Sequence, residues 1–247
     1  MIAKDSFEPT TERGWRMGFT VLMKKELKAW FGSPFWWQQG LLWSLILGMF
    51  GSVGISDPDT GLAIFYMMAT IFPSIATIII SHETILEEKR SGSAAWVLSK
   101  PVSREAFIIP KFLGLSLGVS FSMVLFPGLA VYLETLLLGL PPNFLIYLLS
   151  LVPMALWQMF LVFLTLCAGT FFDDPGPVMA VPFLFIFIGI NLGQHPDLGQ
   201  FGPWGLLQVS LSLVGEDIYS ITPVVTSLLV LAVLMLLAIW RFRRHEF

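Results

Sequence analysis

Residues 61–81 read GLAIFYMMATIFPSIATIIIS, and residues 82–114 continue HETILEEKRSGSAAWVLSKPVSREAFIIPKFLG. The first stretch carries no charged side chain. As a helix it is long enough to cross a hydrocarbon core of about 30 Å, which takes roughly 20 residues. In hydrocarbon no water pairs with the backbone, so a single continuous crossing segment must be helical. The second stretch is too polar to cross and too short to be a domain, so it connects one span to the next on a single side of the membrane.

Working outward from this pair, uncharged runs of similar length recur. Spans are predicted at Phe35 to Ile55, Gly61 to Ser81, Phe112 to Leu133, Phe144 to Phe172, Pro175 to Leu192 and Ile218 to Trp240. Asp173, Asp174 and Pro175 separate the fourth from the fifth, because a proline and two acids disfavour a continuing helix. The fourth run exceeds one upright crossing, which implies tilt or a kink at Pro153. The expected fold is an all-α membrane protein of six spans over residues 35–247, preceded by an N-terminal segment 1–34, with an inner loop at 82–111.

Composition agrees. With 55% hydrophobic and 13% charged residues, and a mean hydropathy of +0.78, the chain is too apolar for a water-soluble domain. The net charge of -3 gives no basic surface for nucleic acid, so none is expected as a partner. The single cysteine, Cys167, lies within an apolar run and reads as a packed side chain. The polar N-terminus does not resemble a cleaved signal peptide, so insertion is expected to rely on the first span.

The basic residues set the orientation. Six of the 14 precede the first span (Lys4, Arg13, Arg16, Lys24, Lys25, Lys28), five lie between the second and third (Lys89, Arg90, Lys100, Arg104, Lys111), and three end the chain (Arg241, Arg243, Arg244). The connections Ser56 to Thr60, Glu134 to Asn143 and His195 to Asp217 hold none. Lys and Arg are retained on the cytoplasmic side, so both termini and the loop 82–111 are expected there. The outer segment His195 to Asp217 is glycine-rich and apolar and is expected to lie in the interface.

Before the first span, Trp15, Phe19, Leu22, Met23, Leu27, Trp30 and Phe31 recur at helical spacing, opposite Arg16, Thr20, Lys24 and Lys28. This predicts an amphipathic interfacial helix, its basic residues, Lys25 included, facing anionic headgroups and its aromatics reaching acyl-chain level. Gly32, Ser33 and Pro34 break it before the chain enters the bilayer.

In the inner loop, Glu83, Glu87 and Glu88 precede Lys89 and Arg90. Gly92 interrupts, and Ala95 to Leu98 form an apolar patch before the turn at Pro101. The pattern reads as a short helix presented to a partner. Glu87, Glu88, Lys89, Gly92, Ser93, Val97, Leu98, Ser99, Pro101, Val102, Ser103 and Arg104, with Lys111 and Gly114 at the next span, resemble the loop of ABC-2 type transporter permease subunits. The likeness is to the branch associated with multicopper-enzyme maturation and efflux. Trp96 departs from the smaller aliphatics commoner there, and Ser93 stands for the frequent threonine.

The resemblance implies that the loop is a coupling helix docking on a separate nucleotide-binding subunit, with the N-terminal helix packed beside it. It implies export, a second permease copy or paralogue, and residence in the cytoplasmic membrane of a prokaryote. Glu83, Glu87, Glu88, Lys89, Arg90 and Arg104 would give such a contact its charge. Ala95 and Trp96 would fill an apolar cleft, with Gly92 and Pro101 bounding the helix. No G-x-x-x-x-G-K-[ST] phosphate loop occurs, so hydrolysis, with its ATP and Mg, is assigned to the partner; no cofactor, metal or catalytic residue is expected in this chain.

Competing readings are a non-transporting membrane anchor, which would show the same spans, and an ion-driven carrier, which usually holds ionisable groups within its spans. His82, His195 and His245 lie outside the spans, which disfavours a haem subunit. The adjacent pair Asp173 and Asp174 points apart and disfavours a paired-carboxylate protease. Gln38, Gln39, Glu134, Gln158 and Asn191 are the polar candidates for a translocation path, whose apolar character favours amphiphilic over ionic substrates.

Overall fold

The computed structural model describes residues 12–52, 58–139, 141–193, 195, 198–215, 217 and 220–244. The expected end of the first span at Ile55, the outer turn from Ser56, the first eleven residues, Ile218 and His245 lie outside them. Among the described residues the chain is helical, without strands.

Helix α1 (Phe19–Phe31) follows a 3-10 turn at Gly14–Arg16. Glu12 accepts hydrogen bonds from the Gly18 and Thr20 amides at 2.9 and 3.1 Å and so serves the free N–H groups at the start of α1. The hydrogen bond from the Thr20 hydroxyl, with those from the backbone, holds the Glu12 carboxyl below its ordinary range. Arg16, Thr20, Lys24 and Lys28 are exposed, whereas Trp30 is buried. The aromatic stripe therefore faces the bundle in part: Trp30 donates its indole N–H to the Ser122 hydroxyl at 3.1 Å.

Helix α2 (Phe35–Gly51) has 17 residues, about 25 Å at 1.5 Å per residue, and stops just short of the undescribed residues 53–57. Helix α3 (Pro58–Arg90) runs 33 residues through Pro73, about 50 Å, so it projects well past an apolar core of about 30 Å. The predicted loop thus begins as an extension of this helix. Gly92, at φ 69, turns the chain into the short α4 (Ser93–Leu98).

Helix α5 (Arg104–Ser120) starts eight residues before the predicted span, because the Ser103 hydroxyl accepts from the Ala106 amide and caps it. A π-helical turn at Phe121–Leu125 joins it to α6 (Phe126–Leu137). Pro127 lacks an N–H and its ring crowds the carbonyl four residues earlier; the wider turn relieves both.

Helix α7 (Phe144–Phe171) is capped by Asn143, whose side chain accepts from the amides of Leu145 and Ile146. It is the central helix, 78% buried over its most apolar window, against 22–61% for the other long helices. The chain is extended at Phe172 and turns at Asp173 and Asp174 into α8 (Pro175–Gly193). Helices α9 (Leu206–Val214) and α10 (Thr222–Arg244) complete the bundle.

Five helical stretches among the described residues are long and apolar enough to cross a membrane: Thr60–Arg90, Arg104–Leu137, Phe144–Phe171, Pro175–Gly193 and Thr222–Arg244. Between α3 and α7, Gln158 accepts from the Thr77 hydroxyl at 2.9 Å, and Trp157 donates to the Ser74 hydroxyl at 2.9 Å. Tyr66 and Ser150 also share a hydrogen bond there. These buried contacts set the register of two otherwise apolar helices.

Candidate functional site

The described residues of the three basic clusters meet at one end of the bundle: α1 and the ends of α3 and α10 converge there on the start of α5. A small charged network binds three of these elements. The Lys111 ammonium, on α5 and with only 2% of its side chain exposed, lies 3.1 Å from Glu88 of α3 and 3.5 Å from Glu26 of α1. Lys25 approaches the same two carboxylates at 3.0 and 3.5 Å from the open side. Burial opposes the Lys25 charge, but Glu88 and Glu26 outweigh it and raise its pKa.

The close approach of α1 to α5 is permitted by glycine. A Cβ at Gly114 would stand 2.7 Å from that of Glu26, and one at Gly118 only 2.5 Å from the Trp30 ring. This Gly-x-x-x-Gly spacing presents a flat strip on which α1 lies.

Two other cations of the loop are helix caps. Lys89 donates to the Gly169 and Phe172 carbonyls at 3.1 and 3.3 Å and to Asp173 at 2.5 Å, serving the free carbonyls at the end of α7. Arg104 does the same for α10, donating to the carbonyls of Phe242 and Arg243 at 2.9 and 2.6 Å. Glu105 pairs with Arg243, and Phe107 stacks on Phe242 at 5.3 Å.

The remaining candidates face outward. Glu83, Glu87 and Arg90 recur at i, i+4 and i+7 on α3 and are exposed along one stripe. Gly92, Ala95 and Pro101 are exposed, and Trp96 shows 63% of its surface, with the Lys100 ammonium 3.6 Å from its ring centroid. Val97 and Leu98 turn the other way and pack on the core.

The ten loop residues singled out by sequence therefore separate. Glu88, Lys89 and Arg104 are engaged with the chain itself, Arg90 is exposed but donates to the Asp173 carbonyl at 3.4 Å, and the other six line an open surface. Sequence reasoning missed Glu26 and read Lys111 as a marker of orientation and as part of the family likeness, without a partner. A lone acid between Lys25 and Lys28, and a lysine followed by an apolar run, were the available signals.

The polar residues proposed for a translocation path are scattered. Gln38 is exposed near the start of α2, and Gln39 bonds Trp43 one turn on at 3.0 Å. Glu134 is half-buried on α6. Gln158 is fully buried between α3 and α7, and Asn191 is exposed on α8 with its amide bonded to the Phe187 carbonyl.

The chain matches the model of the ABC-2 family transporter proteins over residues 11–247. It belongs to that family. The permease is also 28% identical over 170 residues to the uncharacterized transmembrane protein YxlG of Bacillus subtilis (strain 168), a match covering 66% of this chain and 64% of that protein. It thus spans just under two thirds of the curated relative. Family membership and its long apolar helices make it a multi-pass membrane protein of the ABC-2 transporter family.

Proposed function

We propose that this permease is the transmembrane half of an ATP-driven exporter, moved by a separate ABC ATPase that docks on the stripe of Glu83, Glu87 and Arg90 and on Trp96. The observation that carries the reading is the division of the loop: a bare tryptophan and an open charged stripe on the outside, and ion pairs and helix caps on the inside. A large aromatic rimmed by charge is the usual anchor of a protein interface. A push on α4 would pass through Lys89 to α7, through Glu88 and Lys111 to α5 and α1, and through the adjoining Arg104 to α10. Such a clasp favours rigid-body motion over local yielding.

In this reading α2 is a sixth span, residues 82–111 form the coupling loop, and both termini lie in the cytoplasm of a prokaryotic cell. The α1 face bearing Lys24, Lys25 and Lys28 meets anionic lipid, with Trp15 and Phe19 at the interface. The working unit contains two permease copies, or one and a paralogue, and two ATPase subunits carrying ATP and Mg. The loop sequence favours the multicopper-enzyme-maturation and efflux branch.

The test is co-purification of the permease with its ATPase and measurement of stimulated hydrolysis. Glu87→Lys and Trp96→Ala should each lower stimulation about tenfold or more, as loss of an interface anchor does, while leaving the permease folded. Unchanged stimulation in both would sink the coupling role and favour a passive anchor.

A further inference from the structure

At the end of the bundle away from the charged network, a cavity of about 500 Å³ opens between α3, α7, α8 and the segment 199–212. Its volume falls within the roughly 300–1,000 Å³ of small-molecule sites. Thr70 on its wall is 20 residues from Arg90, about 30 Å along α3, so the cavity is remote from the proposed ATPase contact.

The cavity is held open by tight packing around it. Trp204 stacks on Phe185 at 4.6 Å, and Phe185 lies 4.5 Å from Phe160, which ties the outer segment to α8 and α7. A Cβ at Gly189 would fall 1.9 Å from the Trp204 indole, so only glycine admits the ring there. Helix α9 buries Leu206, Val209, Ser210 and Ser212 instead of lying wholly in an interface.

The lining is chemically one-sided. Met67, Ile71, Trp157, Ile186 and Trp204 supply an apolar wall, and Gln200, Gln208 and the hydroxyls of Ser212 and Ser220 supply uncharged polar groups. No Asp, Glu, Lys or Arg among the described residues lines it; His195 is its one ionisable side chain. The amides of Gln200 and Gln208 make no hydrogen bond among the described residues. An ion would lose hydration there without a counter-charge. An apolar body with a hydroxyl, ester or amide head would be matched at both ends.

We infer that this cavity binds one uncharged amphiphile, its chain against Trp157 and Trp204 and its head on the amides of Gln200 and Gln208. As a cargo site the inference rests on the permease reading; as a lipid site it does not. The probe is radiolabelled 1-oleoylglycerol, titrated on the full chain in phosphatidylcholine nanodiscs without any ATPase, with oleate as the charged counterpart. Saturable binding near one per chain is expected, with oleate weaker by about tenfold or more. Gln200→Leu with Gln208→Leu should weaken it about tenfold, and Met67→Trp, at an exposed position on α3, should obstruct the site. Uptake equal to that of empty nanodiscs, equal binding of oleate, or indifference to both variants overturns the inference. ATP added with the ATPase should expel a cargo and leave a structural lipid. Binding without ATPase stimulation would overturn only the coupling role, and stimulation without binding only the site.

Discussion

Replacing Lys111 by methionine removes a charge and keeps most of the stem, so the effect on stability isolates the network that joins α1, α3 and α5. In the parent, Glu26 and Glu88 are 14% and 17% exposed, and one oxygen of Glu88 is buried without a hydrogen bond. Breaking a buried pair by removing one partner costs about 3–5 kcal/mol, because the other charge is left uncompensated. Here Lys25 remains within 3.5 Å of both carboxylates, but its side chain is 51% exposed and its contribution is screened by water. The loss should therefore fall near the lower end, about 3 kcal/mol.

The measurement is reversible unfolding in mixed micelles, monitored by circular dichroism. Lys111→Met should lose about 3 kcal/mol, Lys25→Met less than about 1 kcal/mol, and Lys111→Met with Glu88→Gln should recover part of the loss. Recovery is the decisive arm, since it separates an uncompensated charge from mere disruption of packing. If Lys111→Met matched the parent, or if Glu88→Gln made the double variant worse additively, the buried network would have no energetic role and the account of the clasp would fail.

Two further outcomes follow from the same end of the molecule. Gly118→Val should displace Trp30, whose ring would lie 2.5 Å from the new Cβ; a cost of about 1–3 kcal/mol for overpacking and faster proteolysis of α1 from the bundle are expected, and unaltered protection of α1 would refute the glycine strip. For Lys25, whose folded pKa is raised, the stabilisation is complete below the unfolded value of about 10.4 and is lost as pH rises through the folded value. Stability measured from pH 8 to above that value should therefore fall more steeply in the parent than in Lys25→Met, and parallel curves would count against the pairing.

The long helices were legible because hydrophobicity is written locally: a run without charge such as 144–172 carries its own evidence. Their ends were less so. Span two was expected to stop at Ser81, but the helix continues to Arg90, since Glu87, Glu88, Lys89 and Arg90 are good helix formers and polarity ends a membrane crossing without ending a helix. The start of α5 at Arg104 was available in the Ser103 cap and was hidden by the rule that looks for apolar residues. The π-helical turn before Pro127 had no sequence signal beyond the proline itself.

The site was legible as a segment and not as a division of labour. Nothing near Lys89 in sequence announces that it caps α7, because Gly169 and Phe172 lie 80 and 83 positions away. The same holds for Trp30, read as an interfacial aromatic and found against Gly118. These are contacts between elements distant in sequence, where periodicity carries no information about the partner.

The separation between tied and free residues has a mechanical consequence. A loop held only at its two covalent ends would bend under load and dissipate the displacement of its partner. Here the junctions with α3 and α5 are fixed to other helices by different chemistries: Glu88 by a buried ion network, Lys89 and Arg104 by bonds to the free carbonyls of α7 and α10. Such carbonyls occur at every helix end and need no particular side chain, so they offer anchorage that survives change in the packing surfaces. Glu83, Glu87 and Trp96 are thereby released from structural duty, and on the proposed coupling role they, with Arg90, would be free to follow the surface of an ATPase partner. Variants in the anchors should consequently reduce stability and coupling together, whereas variants in the exposed set should reduce coupling alone.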